Sequence, residues 1–363
     1  MNVVQWRHEL HALAEPGLRE FRTADHVAAL LDAMGVPVTR GVGGTGLVGT
    51  ISTGPGAALG LRADMDALPL PGGVTHACGH DGHMAMLLGA ASRLSSEGGF
   101  AGTVHLVFQP AEEHGLGAKA MIADGLFDRF PMSAIYGLHN MPGHAAGTFS
   151  TRAGGLMAGE DNFEIAVRGR GGHASRPHML IDPIPIAAEI ILALQTIVAR
   201  DVDPVDPAVV SCTEITTDGA RNAVPGRVVI RGDTRSFRPE VSALLEHRIR
   251  RIAEGVCAAH GATATVTYTH EFTPTVNDAG AVEQAVRAAI ATVGADRVDG
   301  AAAPWTGSED FGVFAQVVPG CFTMLGNGDS ASLHSPEFVF NDDILPVGVD
   351  FYVNLVRAAL PAR

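Results

Sequence analysis

Residues 104–139, VHLVFQPAEEHGLGAKAMIADGLFDRFPMSAIYGLH, contain the pattern that predicts the fold class most clearly. The apolar runs Val104–Gln109 and Ile135–His139 have the length of buried strands, and Gly117–Ala123 between them has helical spacing. Strand, helix and strand in this order are typical of an α/β sheet that is covered on both faces.

The same alternation continues towards the amino terminus. Apolar runs predict strands at Leu47–Ile51 and Ala58–Arg62, and a helix at Met84–Leu94. Two earlier helices are predicted at Val3–Ala14 and Thr23–Met34, the second with Thr23 as its N-cap. The first part of the chain therefore predicts an α/β domain.

The pattern changes after about Ala158. The predicted elements there are the strand Asn162–Arg170, the helix Pro183–Arg200, the strands Val209–Thr216 and Arg227–Ser236, the helix Val241–His260 and the strand Thr263–His270. Their β-α-β-β-α-β order is ferredoxin-like and predicts a small self-sufficient domain. Alternation then resumes with helices at Ala279–Val293, Ser308–Ala315 and Leu345–Ala359 and a strand at Cys321–Leu325. We therefore predict a catalytic domain formed by residues 1–158 and 272–363, interrupted by a satellite domain at 159–271.

Composition narrows the classes of function. The chain has 363 residues and a formal net charge of -14, which argues against nucleic acid and anionic membranes as partners, because both require clustered lysine and arginine. The amino-terminal residues contain no apolar stretch long enough for a signal peptide or a membrane span, so a cytoplasmic location is expected. Four scattered cysteines fit reduced thiols better than a disulfide framework.

The segment His76–His83, HACGHDGH, places one thiol, three imidazoles and a carboxylate in eight consecutive positions. Thiolate and imidazole are ligands that zinc and neighbouring transition metals prefer, and the two glycines let the backbone bend so that side chains converge. A solvated histidine-rich loop is the alternative for any single residue, but the cluster indicates a metal site.

Glu112 and Glu113 follow the predicted strand Val104–Gln109, and ligands of open α/β sheets collect beyond the carboxyl ends of strands. One glutamate can bind a metal while the other serves as a general base. The alternative is a solvated acidic pair. His139 ends another predicted strand and His334 lies near the carboxyl end, so both can complete a ligand set that is spread over several loops, as in catalytic zinc sites.

Several motifs occur in order along nearly the whole chain. They are Arg62–Pro69, His76–His83, Gln109–Glu113, Gly172–Ser175, Asn222–Pro225, Gly307–Phe311 and Leu333–Pro336. Together they closely resemble the hippurate hydrolase, aminoacylase and indole-acetyl-amino-acid hydrolase branch of the zinc aminoacylase and carboxypeptidase superfamily. The resemblance implies a mixed-sheet catalytic domain with a metal pair, and an inserted ferredoxin-like satellite that serves as dimerisation or lid domain.

The resemblance also implies roles for individual residues. The metal ligands are Cys78, His80, Glu113, His139 and His334; the general acid/base is Glu112; the oxyanion is stabilised by His173; the substrate is held by Asn222 and Arg235; and Asp66 has an orienting role. The cofactors are two divalent ions per chain, and zinc, manganese, cobalt and nickel all suit these ligands. The expected partners are a small N-acyl amino acid and further copies of the chain, in a homodimer or homotetramer formed through the satellite domain.

The implied reaction is hydrolysis of the amide bond of an N-acyl amino acid by a metal-bridging water that Glu112 activates. A dipeptidase or carboxypeptidase of the same superfamily is the first alternative. A hydrolase that uses Cys78 as nucleophile with His80 as base, and a non-catalytic binding protein, are the others. Relatives usually have more residues between the Ala-Leu-Pro motif and the HACGHDGH cluster than the six at 70–75 here, so the mouth of the pocket is expected to differ.

Overall fold

The computed structural model describes residues 2–362, which form two compact units. The first comprises residues 2–156, 275–304 and 309–362, and the second comprises residues 157–274 and 305–308. The helices are α1 Val3–Leu13, α2 Phe21–Ala33, α3 His80–Glu97, α4 Gly117–Ala123, α5 Leu126–Arg129, α6 Pro183–Arg200, α7 Pro239–Ala259, α8 Ala279–Val293, α9 Phe311–Ala315 and α10 Leu345–Ala359.

Strands make up the two main sheets and several short pairs. They are β1 Val38–Val42, β2 Gly46–Ser52, β3 Ala58–Asp64, β4 Leu68–Leu70, β5 Gly73–Thr75, β6 Thr103–Gln109, β7 Ala134–Pro142, β8 Phe149–Ser150, β9 Gly154–Met157, β10 Gly159–Arg168, β11 Gly172–His173, β12 Ala208–Thr217, β13 Ala223–Val224, β14 Arg227–Ser236, β15 Thr263–Phe272, β16 Thr275–Asn277, β17 Val298–Asp299 and β18 Gly320–Gly328.

The first unit is built on a mixed sheet of eight strands in the order β1-β2-β6-β3-β7-β18-β8-β17. Its centre is parallel, because β3 pairs in parallel with both β6 and β7, and β18 pairs in parallel with β7. These strands are buried along nearly their whole length, as continuous apolar runs require. The main core joins them to α1, α2, α3, α8 and α10, while α4 and α9 pack against β6, β7 and β18.

The second unit is an antiparallel sheet in the order β12-β14-β10-β15. Helices α6 and α7 pack on it and share a separate core with it. In α6 the buried residues Ile186, Ile190, Leu194 and Ile197 recur every three or four positions, which is the spacing of a helix with one face on a sheet. By length and apolar composition alone α6 could also cross a membrane, but its buried face packs on the sheet of the second unit.

The predicted fold class is confirmed, including the ferredoxin-like order of the second unit. The helix Pro183–Arg200 and the strand Arg227–Ser236 have the predicted bounds. The predicted N-cap of α2 is wrong, because α2 begins at Phe21 and Thr23 lies inside it. There the backbone N–H and the hydroxyl of Thr23 both donate to the Glu15 carboxylate, at 2.9 and 3.0 Å.

Candidate metal centre

Neighbouring parallel strands end at one edge of the larger sheet and place polar side chains there. Asp64 ends β3 and is the register partner of Gln109, which ends β6. His139 lies on β7, the other neighbour of β3. Helix α3 begins at His80, four residues earlier than predicted, after Gly79 in the left-handed conformation (φ 95°). This edge is therefore the place where ligands of an α/β sheet are expected.

The five predicted ligands lie together at this edge. Cys78 Sγ is 3.5 Å from His139 Nε2, and His80 Nε2 is 3.8 Å from Glu113 Oε1. His334 Nε2 is 3.3 Å from the other oxygen of Glu113. Ligand atoms of Cys78, His80 and Glu113 all lie within 4.8 Å of one another. Residues from four separate segments thus converge on one small volume.

Two buried atoms without a hydrogen-bond partner indicate that the volume between these residues suits a metal ion. Within residues 2–362, His80 Nε2 and Glu113 Oε1 are buried and have no hydrogen-bond partner, and burying such groups unpaired is costly. Backbone acceptors assign the tautomers: His80 Nδ1 donates to the Asp66 carbonyl at 2.9 Å and His139 Nδ1 donates to the Asn140 carbonyl at 2.6 Å. When the two rings are neutral, each Nε2 therefore carries a lone pair that can bind a metal, as in other sites with histidine ligands.

Electrostatics favour a cation in the same volume. Burial lowers the pKa of His80, but the carboxylates of Asp64 and Asp66 outweigh burial and raise it to about 10. Burial, followed by Glu113 and Glu112, raises the pKa of the Cys78 thiol well above its usual range. A thiolate is thus unfavourable here unless a cation compensates its charge, and a bound divalent ion would do so.

Asp66 connects two of the predicted ligands. Its Oδ2 accepts the backbone N–H of Glu113 at 3.0 Å, and its Oδ1 lies 3.3 Å from His80 Nδ1. The side chain is fully buried. These contacts fit the expected orienting role, because they fix the ring of one ligand and the backbone of another.

His83 is a further candidate metal ligand, because the sequence alone does not distinguish it from the other residues of the His76–His83 segment. Asp64, His80, His83 and His139 also form a group with metal-compatible spacing. However, His83 Nδ1 donates to Asp64 at 2.6 Å, and its Nε2 accepts the backbone N–H of Asn140 at 3.1 Å. Both nitrogens are therefore engaged, and His83 is better described as a support for the cluster.

Glu112 lies beside the predicted ligands and close to two further carboxylates. The carboxylate is buried, lies 4.0 Å from His80 Nε2, and shares a compact group with Glu309 and Asp310. Burial, followed by the charges of Glu309 and Glu113, raises the pKa of Glu112 well above its usual range. A carboxyl group of this kind is suited to taking up a proton and returning it.

A buried arginine, Arg62, pairs with two members of this acidic group, and from the sequence it was expected only as part of a motif. Arg62 pairs with Asp64 at 2.8 Å, Glu309 at 2.7 Å and Asp310 at 3.2 Å. Its Nε also donates to Gln109 Oε1 at 2.8 Å. The guanidinium therefore compensates the charges of Asp64, Glu309 and Asp310.

The second unit contains the remaining predicted residues. His173 in β11 pairs with Ala223 in β13, so the segments with His173 and Asn222 are adjacent, and both side chains are exposed. Ser175 donates its backbone N–H and hydroxyl to His173 Nδ1, at 3.2 and 2.8 Å. The ring proton of His173 therefore lies on Nε2 and is available to an acceptor.

Arg235 in β14 does not belong to that pair of segments. Its Nη1 lies 2.7 Å from Glu160 and donates to the Ser308 hydroxyl at 2.6 Å, and its Nε donates to Asp233 at 2.6 Å. Two carboxylates thus already compensate this guanidinium. A substrate carboxylate could bind it only beside them or in exchange for one of them.

Known proteins are similar to this chain over most of its length. The family model for peptidase family M20/M25/M40 matches residues 60–358. The chain is 38% identical to hippurate hydrolase of Campylobacter jejuni (96% of this chain, 94% of that protein), and 37% identical to thermostable carboxypeptidase 1 of Saccharolobus solfataricus (95% and 92%). The crystal structure of the Bacillus subtilis YXEP protein, a dinuclear metal-binding peptidase, superposes with a TM-score of 0.86 at 30% identity, over 99% of this chain and 98% of that one.

Proposed function

The chain belongs to peptidase family M20/M25/M40, and on this premise we propose that it hydrolyses the amide bond of N-acyl amino acids with the help of divalent metal ions. The observation that supports this most is the convergence of five residues beside Glu112, namely Cys78, His80, Glu113, His139 and His334. Among their atoms, His80 Nε2 and Glu113 Oε1 are buried and have no hydrogen-bond partner within residues 2–362. We assign the five residues as ligands of two ions, and zinc, manganese, cobalt and nickel all suit this donor set.

The chemistry divides between the ions and the chain. Bound divalent ions lower the pKa of a coordinated water and polarise a carbonyl oxygen. In our proposal Glu112 removes the proton of the attacking water and later gives it to the nitrogen of the departing amino acid. Asp66 holds His80 and Glu113 in place throughout, through the contacts described above.

We assign the oxyanion donor to His173. Because Ser175 donates to Nδ1 and leaves the ring proton on Nε2, the side chain can donate a hydrogen bond to negative charge that develops on the amide oxygen. Asn222, in the adjacent segment, is proposed to bind substrate with its amide, and Arg235 to bind the substrate carboxylate.

His173→Ala is expected to lower kcat by roughly 10²-fold, the loss typical of one oxyanion donor, while metal content per chain stays unchanged. Steady-state kinetics together with elemental analysis of the purified variant measure both quantities. Ser175→Ala is the matched variant, because it removes one of the two donors to Nδ1 and leaves the imidazole in place; a smaller loss is expected. An unchanged kcat in His173→Ala would remove this residue from the mechanism.

A peptidase activity is the second candidate, and the similarity to thermostable carboxypeptidase 1 favours it. Amide bonds of acylated amino acids and of peptides differ in the group on the acyl side, so the same site residues serve both. A panel of N-acetyl, N-benzoyl and N-indoleacetyl amino acids, assayed beside dipeptides and longer peptides, separates the two by kcat/KM. Higher values for the acylated amino acids support the first proposal, and higher values for peptides support the second.

Metal removal is expected to abolish turnover, and readdition of the ion to restore it. The alternative hypothesis, in which Cys78 is a covalent nucleophile, predicts activity that survives chelation and is lost on alkylation. Burial and nearby carboxylates, which raise the pKa of this thiol, make it a poor nucleophile. We expect iodoacetamide to modify Cys78 more slowly in the metal-loaded enzyme than in the chelated one, and full activity after chelation would contradict the proposal.

We further propose that the chain assembles as a homodimer or homotetramer through its second unit. Helix α6 exposes Ile184, Leu192 and Val198 on the face that does not pack on the sheet, and β12 is an edge strand with an exposed Ile215. Apolar side chains and an open edge are features that a second copy can cover. Sedimentation should give a multiple of the chain mass, and Leu192→Glu should shift it towards the monomer.

A further inference from the structure

An amino-terminal loop contacts the segment that carries Glu112 and Glu113. It consists of residues 15–20, between α1 and α2, and lies outside the residues matched by the family model. Ala67, which follows Asp66, donates its N–H to the Glu15 carbonyl at 2.9 Å. A Cβ added to Gly17 would lie 2.7 Å from His114 Nδ1 and 3.0 Å from Ala111 Cα, so the loop packs closely on this segment.

Ala111 has an unusual backbone conformation for its residue type. Its φ of 47° and ψ of 45° are left-handed, and the residue is fully buried. The Cβ of an L-residue disfavours this region, so a neighbouring group must hold it there. The turn Glu112–His114 begins at the next residue, and therefore the conformation of Ala111 sets the direction in which the two glutamates leave the strand.

Glu20 provides the group that holds Ala111. Its Oε1 accepts the backbone N–H of Ala111 at 2.8 Å, and its Oε2 accepts the hydroxyl of Thr45. The carboxylate is completely buried. On the other side of the peptide, the Ala111 carbonyl accepts the N–H groups of Leu116 and Gly117, at 3.3 and 3.1 Å, so both backbone groups of Ala111 are fixed.

The position of Glu20 in its own helix supports this role. Glu20 is the N-cap residue of α2, where a carboxylate usually accepts a helix N–H. Here Glu15 accepts the N–H of Thr23 instead, at 2.9 Å, and the side chain of Glu20 points to Ala111 and Thr45. The helix therefore has another acceptor, and the buried carboxylate of Glu20 serves the catalytic segment.

We propose that Glu20 is a positioning residue for the hydrolytic reaction, which orients Glu112 and Glu113 by holding Ala111 in the left-handed conformation through its backbone N–H. This inference rests on the proposed function for its kinetic consequences. Its structural consequence, the geometry at Glu113, can be observed without turnover.

The test compares Glu20→Ala and Glu20→Gln with the wild type, as purified Co²⁺-loaded enzymes. Glu20→Ala should lower kcat by roughly 10- to 100-fold, as expected for a misplaced catalytic group, with a much smaller change in KM. It should also shift the visible spectrum of bound Co²⁺, because Glu113 moves. Glu20→Gln keeps a carbonyl acceptor for the Ala111 N–H and should keep kcat within about threefold of the wild type, because the hydrogen bond is weakened but not lost.

A second substitution separates positioning from stability. Ala111→Gly relieves the steric cost of the left-handed conformation, so Glu20→Ala combined with Ala111→Gly should regain part of the lost kcat and of the spectrum. Glu15→Ala is the matched control, since it removes another buried carboxylate of the same loop and should lower thermal stability without changing kcat. If Glu20→Ala does not fold, Thr45→Val serves in its place. It removes only the second hydrogen-bond partner of Glu20, and a smaller loss of kcat is expected.

The outcomes are distinguishable from failure of the proposed function. Wild-type enzyme without amidohydrolase activity would reject the function and leave the Co²⁺ spectra to test the positioning. A folded Glu20→Ala enzyme with wild-type kcat and spectrum would overturn the role of Glu20. A loss equal in Glu20→Ala and Glu20→Gln, and not relieved by Ala111→Gly, would overturn it as well.

Discussion

Glu112→Gln is expected to lower kcat by roughly 10³- to 10⁴-fold, near the upper end of the contribution of a positioned proton shuttle, without loss of bound metal. Glutamine matches the shape of glutamate but cannot take up the proton of the attacking water. In the structure Glu112 is buried beside Glu309 and Glu113, whose charges, together with burial, raise its pKa. The side chain is thus poised to accept a proton and to give it up again.

The neighbouring glutamate provides the matched control. Glu113→Gln replaces a proposed ligand, so it should lower metal affinity as well as turnover, whereas Glu112→Gln should affect turnover alone. Elemental analysis and single-turnover kinetics on both variants make the comparison. Near-normal turnover in Glu112→Gln, or equal metal loss in both, would reject the division of roles between the two adjacent glutamates.

Arg62→Met is expected to destabilise the fold by about 3–5 kcal/mol, the usual cost of removing one partner from a buried ion pair. The arginine is 1% exposed and pairs with Asp64, Glu309 and Asp310. Although burial alone would lower the pKa of its guanidinium, the three carboxylates more than offset burial and keep it charged. Methionine would fill much of the space but would leave three buried carboxylates without their cation.

Denaturant unfolding of the metal-free proteins measures this loss, so that metal binding does not contribute. Arg129→Met is the control: this arginine pairs with Asp124 at the surface, where both side chains are 40% or more exposed, and a change below about 1 kcal/mol is expected. A loss in Arg62→Met as small as in the control would show that the buried network does not stabilise the fold.

The proposed ligands could be predicted from the sequence because their chemistry is local. His76–His83 combines thiol, imidazole and glycine in one short segment, and Glu112 and Glu113 directly follow an apolar strand. Strand ends in an α/β sheet have a known place for ligands, so residue type and position point to the same edge. The structure brings together all five predicted ligands there, although their roles remain our proposal.

The support around the ligands was harder to predict, since it depends on contacts between distant parts of the chain. Arg62 and its partner Glu309 are 247 positions apart, and the only local signal was a charged residue within an apolar strand. The N-cap of α2 was misplaced for a similar reason, because the carboxylate that accepts the N–H of Thr23 belongs to Glu15, eight positions earlier in the chain. The role of Glu20 could not be predicted either, because nothing in the residue type of its partner Ala111 indicates a left-handed backbone conformation.

In the second unit the sequence predicted which segments carry the candidate residues, but not the contacts that their side chains make. Pairing of β11 with β13 places the His173 and Asn222 segments together, and in our proposal both segments serve one substrate. The ion pairs of Arg235 with Glu160 and Asp233 could not be read from the chain, because they join residues on paired strands whose register is known only from the fold.

The most direct test of the central claim is an anomalous-diffraction map of crystals grown with the activating metal. We expect two peaks per chain, both within coordination distance of atoms from the set Cys78, His80, Glu113, His139 and His334, with Glu112 beside them. A map without ions among these five residues, from protein that is active in the same preparation, would contradict the account.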